Sequence, residues 1–184
     1  EEQFRTFLAQ SIPYEILAKP GLRPAKTSEI STVNWRTHYP SYSRYLAVMD
    51  SFVLKYPGLC GLTNMATTPN GHKLLAMRIS DNASSNESKP AVLLTSSIDG
   101  DEPLGFVLLL RLIEELLSRY GTNDGITTLV NSAEIWINPL ANPDVTFFVS
   151  DSTIYGATRF NSNHVDLNRN FPDPVKGDHP DSYI

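Results

Sequence analysis

Apolar residues in the first half of the chain recur at two spacings, one typical of helices and one typical of strands. Over residues 42–56 they return every three or four positions and stop at Pro57-Gly58, which predicts an amphipathic helix. Two further apolar runs, 61–65 and 74–79, flank the turn-forming residues 69–71 (PNG). This arrangement predicts two strands joined as a hairpin.

The next apolar segments follow the order strand, helix, strand. Residues 91–95 form a short continuous apolar run, typical of a strand buried on both faces. Residues 103–120 predict a largely buried helix with a proline in its first turn, and a short helical segment is expected near 126–131. Residues 133–137 predict a second buried strand. We therefore predict the α/β class, with a mixed, largely parallel sheet flanked by helices.

The two ends of the chain lack this periodicity. Residues 1–40 contain four prolines and no sustained period, so we expect an irregular N-terminal arm and a domain that begins at residue 41. After residue 137, only brief apolar runs appear among Asn, Asp, Pro, Gly and Ser. Loops of this length in a compact domain are usually functional or depend on structure elsewhere, so the last third is where we look for a site.

Composition narrows the possible functions. Fifteen Lys and Arg against 20 Asp and Glu give a net charge of −5, and the lack of a basic stripe argues against nucleic acid as a partner. The single cysteine, Cys60, cannot form an internal disulfide or a cysteine zinc site, so any metal must use His, Asp or Glu. The longest apolar run, 104–110, is far shorter than the ~20 residues of a membrane-spanning helix, and no span is expected.

Three carboxylates stand between the predicted strand 91–95 and the helix that follows it, namely Asp99, Asp101 and Glu102. In open α/β sheets, ligands bind outside the carboxyl ends of the strands, and carboxylate oxygens there suit hard or borderline metals. The alternative is an acidic helix N-terminus stabilised by the helix dipole. On this segment alone, we favour the alternative.

A second polar segment covers residues 166–173 (DLNRNFPD). The guanidinium of Arg169 offers a rigid fork for a carboxylate or phosphate, and the amide of Asn168 can donate to the same anion. The alternative is a structural loop held by Asn side chains. Arg159 lies nine residues before Asn168, and a single loop arginine of this kind is usually solvated.

Together these segments resemble the M14 family of zinc carboxypeptidases, most closely the branch that includes the regulatory carboxypeptidases. The family has a His-x-x-Glu metal pair after a buried strand, then an Asn-Pro-Asp-Gly loop, then an Asn-Arg pair. The corresponding segments here are 99–102 (DGDE), 142–145 (NPDV) and 166–173 (DLNRNFPD). The resemblance runs from about Tyr42 to Asp173.

The resemblance implies a role for each matching residue. Glu102 matches the glutamate that holds zinc, and Asp99 stands where the family has its histidine ligand. Arg159 matches the arginine that polarises the scissile carbonyl and stabilises the oxyanion. Asn168 and Arg169 match the pair that grips the terminal carboxylate of the substrate. The implied protein is a secreted or periplasmic zinc-dependent carboxypeptidase, which hydrolyses the C-terminal bond of peptides or proteins through metal-activated water.

The sequence departs from the family pattern in three ways. Asp99 can reach a metal with an oxygen but adds negative charge, so we expect lower zinc affinity and turnover. Val145 replaces a glycine, so we expect strain in that turn if the family's conformation is kept. The family's third metal ligand and general base follow the Asn-Arg pair at a distance, so we expect residues 41–184 to be the N-terminal part of the catalytic domain. Among the histidines, His179 is the one to check as a replacement ligand.

Two other functions stay open. One is a catalytically impaired family member that binds peptide C-termini through Asn168 and Arg169. The other is a zinc deacylase of related fold acting on N-acyl amino acids, since such proteins also carry an Asn-Arg-x-Phe-Pro string. The neighbouring segments 158–161 (TRFN) and 142–144 (NPD) favour the peptidase over the deacylase.

Overall fold

The computed structural model describes residues 38–85 and 88–172, together with residues 9, 27, 28 and 175. A two-residue parallel pair joins β1 (Thr27–Ser28) to β2 (Tyr39–Pro40). The main sheet has four strands, namely β3 (Cys60–Thr67), β4 (Lys73–Ile79), β5 (Ala91–Thr95) and β6 (Glu134–Asn138). Their order across the sheet is β3-β4-β6-β5.

The pairing in the main sheet is mixed, as predicted. Strands β3 and β4 form the antiparallel hairpin, with a register shift between Asn64 and Ala66. Strand β4 also pairs antiparallel with β6, whereas β5 and β6 are parallel and place Ala91 opposite Glu134. The parallel pair belongs to the predicted strand-helix-strand unit, and the antiparallel pairs form the other half of the sheet.

The helices lie close to the predicted ranges. They are α1 (Tyr42–Lys55), α2 (Leu104–Arg119), α3 (Asp124–Ser132) and α4 (Pro143–Thr146), followed by a 3-10 turn at Leu167–Arg169. Helix α1 begins after Ser41, whose hydroxyl accepts the backbone N–H of Arg44. Within the described part of the chain, no helix is both long and apolar enough to cross a membrane.

The hydrophobic core lies between the helices and the main sheet. The buried residues of α1 recur at helical spacing, as an amphipathic helix requires, and include Tyr45, Met49 and Phe52. They belong to one cluster with Met77 of β4 and Ile137 of β6. Burying each of these large side chains contributes roughly 1.5–3 kcal/mol, so this cluster fixes α1 against the sheet.

The environment of β5 differs from the prediction. Val92 is 44% exposed and Leu93 is 58% exposed, and on α2 Leu104 and Leu108 are also exposed. The prediction of a strand buried on both faces is therefore wrong for the described residues, because there β5 is an edge strand that pairs only with β6. Helix α2 is buried along one face rather than on most of its surface.

Candidate functional site

Four of the five predicted site residues meet at the carboxyl end of β5. Asp99 and Glu102 lie in the loop that joins β5 to α2, and Asn168 lies in the 3-10 turn. These three side chains line a cavity of about 340 Å³. Arg159, from the loop after α4, reaches the same carboxylates. The site therefore forms at the end of the strand where an open α/β sheet binds its ligands.

Close packing fixes the path of the acidic loop. A Cβ atom added to Gly100 would lie 2.5 Å from the carbonyl oxygen of Thr158 and 2.6 Å from Cγ2 of Val145, so only glycine fits here. The side-chain amide of Asn142 also donates to the carbonyl of Ile98, at 3.0 Å. The loop that carries Asp99 is thus held against α4 and against the segment that carries Arg159.

The expected strain at Val145 is absent. Among the described non-glycine residues, only Ser97 and His164 have positive φ, at 55° and 62°. Val145 lies instead inside α4, where a β-branched residue is accepted, and its side chain is 1% exposed. The strain was expected only for a conformation that needs a glycine, and residues 143–146 form a helical turn instead.

Asp99 is buried and already has a cationic partner. Its side chain is 4% exposed, and Oδ2 accepts from Nη1 of Arg159 at 2.6 Å and from Nδ2 of Asn168 at 3.4 Å. The other oxygen, Oδ1, is buried and makes no hydrogen bond with the described residues. Glu102 is 72% exposed, with Oε1 4.0 Å from the same guanidinium nitrogen. Arg159 thus lies between a buried carboxylate and an exposed one.

Asp166 holds the other edge of the Arg159 guanidinium. Nε and Nη2 of Arg159 donate to the two oxygens of Asp166, at 2.8 Å and 3.3 Å. Oδ1 of Asp166 also accepts the backbone N–H of Asn168 at 3.1 Å, and so caps the 3-10 turn. The hydrogen bond between them raises the pKa of Arg159 and lowers the pKa of Asp166. Sequence reasoning missed Asp166, although it is the first residue of the 166–173 segment.

Arg169 lies at the solvent side of this group. Its side chain is exposed, and Nη1 donates to the carbonyl of Asn168 at 3.0 Å. Arg169 is absent from the residues that line the cavity, but it follows Asn168 on the same turn. The role of Asn168 and Arg169 as a carboxylate clamp stays a prediction.

The described residues do not by themselves fit a zinc ion. A catalytic zinc site uses three protein ligands, and within residues 38–85 and 88–172 no group of three His, Cys, Asp or Glu side chains is placed to hold a metal. Asp99, one of the two predicted ligands, is paired with Arg159. His179, the histidine to check as a replacement ligand, lies outside the described residues. The pairing of Asp99 and Glu102 at a metal stays a prediction.

A second polar cluster forms around Asp144 of α4. Nδ1 of His72 contacts Oδ1 of Asp144 at 2.6 Å, and Nε2 contacts Oδ1 of Asp151 at 3.0 Å. The hydroxyl of Thr68 also donates to Oδ1 of Asp144, at 2.6 Å. Burial alone would lower the pKa of His72, but its hydrogen bonds to the two aspartates and their charges raise it above the usual value.

This second cluster, which joins the β3–β4 hairpin to α4, was also missed by sequence reasoning. Asp144 appeared only as part of the 142–145 segment, and His72 was not identified as a site residue. The two residues are 72 positions apart, and no local pattern connects them.

A comparison with known families tests the resemblance inferred from the sequence. The model of the M14 peptidase family, described as zinc carboxypeptidase, matches residues 45–183. The chain belongs to the M14 zinc carboxypeptidase family. The resemblance inferred from the sequence is therefore confirmed.

Curated M14 carboxypeptidases match with moderate identity. Carboxypeptidase D of Anas platyrhynchos is 36% identical over 156 residues, which cover 82% of this chain and 11% of that protein. A zinc carboxypeptidase of Saccharothrix mutabilis subsp. capreolus is 33% identical over 108 residues, which cover 59% of this chain and 25% of that protein. The chain thus spans a quarter or less of the length of these relatives.

Solved carboxypeptidase structures share the fold. Carboxypeptidase A from Helicoverpa armigera gives a TM-score of 0.65 at 23% identity, covering 94% of this chain and 46% of the other. Thrombin activatable fibrinolysis inhibitor gives 0.62 at 18% identity, covering 78% of this chain and 37% of the other. At these identities the likeness concerns the fold alone, and it confirms the predicted carboxypeptidase-like α/β class.

Proposed function

We propose that the protein acts on the free C-terminus of peptides or proteins as a zinc-dependent carboxypeptidase, and that this chain supplies the recognition of the terminal carboxylate. The observation that carries the proposal is the convergence of Arg159 and Asn168 at one cavity edge, with Arg169 on the same turn. Guanidinium and amide N–H groups are the donors that bind a carboxylate.

The donors differ in their exposure to solvent, and we assign them different roles on that basis. Arg169 and Asn168 are exposed, so a peptide carboxylate can reach both side chains. Arg159 is 28% exposed and is held at two points by Asp166. A cation fixed in this way can stabilise the negative charge that develops on a carbonyl oxygen with little reorganisation. Arg159 is therefore proposed for the scissile carbonyl, and Asn168 with Arg169 for the terminus.

We propose zinc as the metal of the whole protein and not of this chain alone. The proposed activity is the hydrolysis of the C-terminal peptide bond, for which the family uses zinc, but Asp99 and Glu102 alone do not complete a zinc site. We also propose a secreted or periplasmic location, which rests on the family alone, and cell fractionation tests it.

Substitution of Arg169 tests the recognition step. In the full-length protein, Arg169→Ala should weaken binding of a peptide with a free C-terminus by about tenfold to a hundredfold, the size expected for hydrogen bonds to a charged group. Binding of the same peptide as its C-terminal amide should change little. The control is Arg119→Ala, which removes an exposed arginine that pairs with Glu115 on α2. Equal losses for the acid and the amide would show that Arg169 is structural.

Recognition without hydrolysis is a second candidate function, and the Asp99–Arg159 ion pair favours it. In this pair, the carboxylate of Asp99, which is a predicted metal ligand, is bound to the guanidinium of Arg159. Bound zinc and release of the terminal amino acid should be measured for the full-length protein with Asp99 and with Asp99→His. Zinc and turnover in the wild type support the peptidase. Zinc and turnover only after Asp99→His support the second candidate, as does peptide binding without metal in both forms.

A further inference from the structure

A polar loop with no part in the candidate site connects β4 to β5. It contains the tripeptide Asn82-Ala83-Ser84, which has the Asn-x-Ser spacing of an acceptor for N-linked glycans. An acceptor of this kind must be accessible on the surface of a protein that enters a secretory pathway. The contacts of residues 81–85 bear on the first of these two conditions.

Ala83, the middle residue of the tripeptide, is bound to the protein through both of its backbone groups. Its N–H donates to the carbonyl of Gly58 at 3.3 Å, and its carbonyl accepts from Nη1 of Arg78 at 3.2 Å. The backbone of Ala83 thus faces the protein, whereas Asn82 and Ser84 on either side of it are exposed. The fold therefore presents to solvent both of the residues that define an acceptor.

The two exposed side chains also contact each other. Oγ of Ser84 donates to Oδ1 of Asn82 at 2.9 Å. This bond uses the amide oxygen and leaves Nδ2, the nitrogen that a glycan joins, without a hydrogen bond to any described residue. A sugar can therefore be attached to Nδ2 without breaking a contact between this nitrogen and the described part of the fold.

We propose that Asn82 carries an N-linked glycan in the secreted protein. The inference rests on the proposed secreted location, because an oligosaccharide is transferred to asparagine in a secretory pathway. In the transfer, Nδ2 of Asn82 forms a bond to the anomeric carbon of a glycosyl pyrophosphate donor and loses one proton. The bond from that carbon to the pyrophosphate oxygen breaks, and the pyrophosphate leaves with the electron pair. A second tripeptide of this type, 86–88 (NES), lies partly outside the described residues, so the proposal concerns Asn82 alone.

The proposed glycan lies at the opposite edge of the sheet from the candidate site. The loop leaves β4 after Ile79 and enters β5 at Ala91, whereas the acidic loop of the site follows Thr95 at the other end of β5. The length of β5 separates these two edges by about 13 Å. The glycan should therefore leave binding of a peptide at the cavity unchanged.

Peptide mapping by mass spectrometry tests the proposal on the full-length protein, purified from the organism that makes it. Enzymatic removal of N-linked glycans in heavy-oxygen water should convert Asn82 to a labelled aspartate. Asn64 and Asn163 are internal controls, because both are exposed but lack a Ser or Thr two positions later, and they should stay unlabelled. An unlabelled Asn82 in the secreted protein would overturn the inference while the secreted location stands. An unlabelled Asn82 in a protein that stays inside the cell would overturn both.

Variants of the full-length protein made in the same cells give a second measurement. Asn82→Gln and Ser84→Ala should each abolish labelling at residue 82, and Ser84→Thr should retain it, since threonine supplies the same hydroxyl. The matched control is Ser85→Ala, which removes a neighbouring hydroxyl at the wrong spacing and should leave the label in place. Labelling that persists in Ser84→Ala would overturn the assignment. Asn82→Gln should bind a free-terminus peptide as tightly as the wild type, and this affinity reports separately on the proposed recognition.

Discussion

Two buried aspartates, Asp144 within α4 and Asp99 in the loop packed against α4, differ in how completely they are hydrogen-bonded. Asp144 is 6% exposed, and its Oδ1 contacts both His72 and Thr68. Asp99 is 4% exposed, and its Oδ1 has no hydrogen-bond partner among the described residues, while Oδ2 contacts Arg159. A buried polar group with its partners in place stabilises a fold, whereas an incompletely paired one requires a separate explanation, such as a role in function.

The cluster of Asp144 with His72 and the group of Asp99 with Arg159 are neighbours in the structure. The backbone N–H of Thr158, next to Arg159, donates to the carbonyl of Val145, next to Asp144, at 3.1 Å. The same loop framework therefore supports both groups. We expect changes near Asp144 to alter stability, and changes near Arg159 to alter recognition of peptides.

The largest effect is expected from Asp144→Ala. Removing one member of a buried pair leaves His72 and the hydroxyl of Thr68 without their shared acceptor, so the free energy of unfolding should fall by about 3 kcal/mol. Chemical denaturation measures this change. The control is Asp151→Ala, which removes the 65% exposed partner of His72 and should cost less than about 1 kcal/mol. Equal losses for the two variants would contradict the structural role given to Asp144.

Asp166→Asn should lower peptide affinity with little change in stability, the opposite of the result expected for Asp144→Ala. The variant loosens both the Arg159 guanidinium and the turn that carries Asn168, so affinity for a free-terminus peptide should fall about tenfold. The unfolding midpoint should stay near that of the wild type, because this ion pair is accessible to solvent. A lowered midpoint with unchanged affinity would place Asp166 among the structural residues.

The raised pKa of His72 predicts a pH dependence of stability. A group whose pKa is higher in the folded state stabilises the fold fully below its unfolded value, about 6.5 for histidine, and loses this contribution as pH rises through the folded value. The unfolding midpoint of the wild type should therefore fall as pH increases above about 6.5. In His72→Gln that fall should be absent. The same slope in both proteins would assign it to other groups.

The smallest effect is expected at His164, which holds φ at 62° in the turn before Asp166. Glycine adopts this conformation more easily, so His164→Gly should raise the free energy of unfolding by about 0.5 kcal/mol. Asn163→Gly is the matched control, since Asn163 is not among the described residues with positive φ, and there glycine should destabilise by a similar amount. Destabilisation by both variants would contradict the strain assigned to His164. Peptide affinity should not change in either variant.

Sequence periodicity predicted the elements well because helices and hairpins depend on local spacing. Helix α1 and the β3–β4 hairpin lie within a few residues of the expected ranges. The exposure of β5 was not predicted, because the exposure of an edge strand depends on which neighbours pack against it. An apolar run such as 91–95 indicates that a strand favours burial, but it does not identify the element that packs against the strand.

The candidate site was predictable only in part, for a related reason. Asp99, Glu102, Arg159 and Asn168 came from the order of family segments, and the structure brings them together. The positioning of Arg159 by Asp166 and the pairing of His72 with Asp144 are tertiary contacts. They depend on how loops meet in space, which neither spacing nor residue type determines.

Recognition of a free terminal carboxylate can be measured on the wild-type protein with one pair of ligands. The full-length protein should be titrated with a peptide and with its C-terminal amide at the same pH and ionic strength. If the donors at the end of β5 bind the carboxylate, the acid should bind at least about tenfold more tightly than the amide. Equal affinities for the two ligands would contradict this assignment of the site.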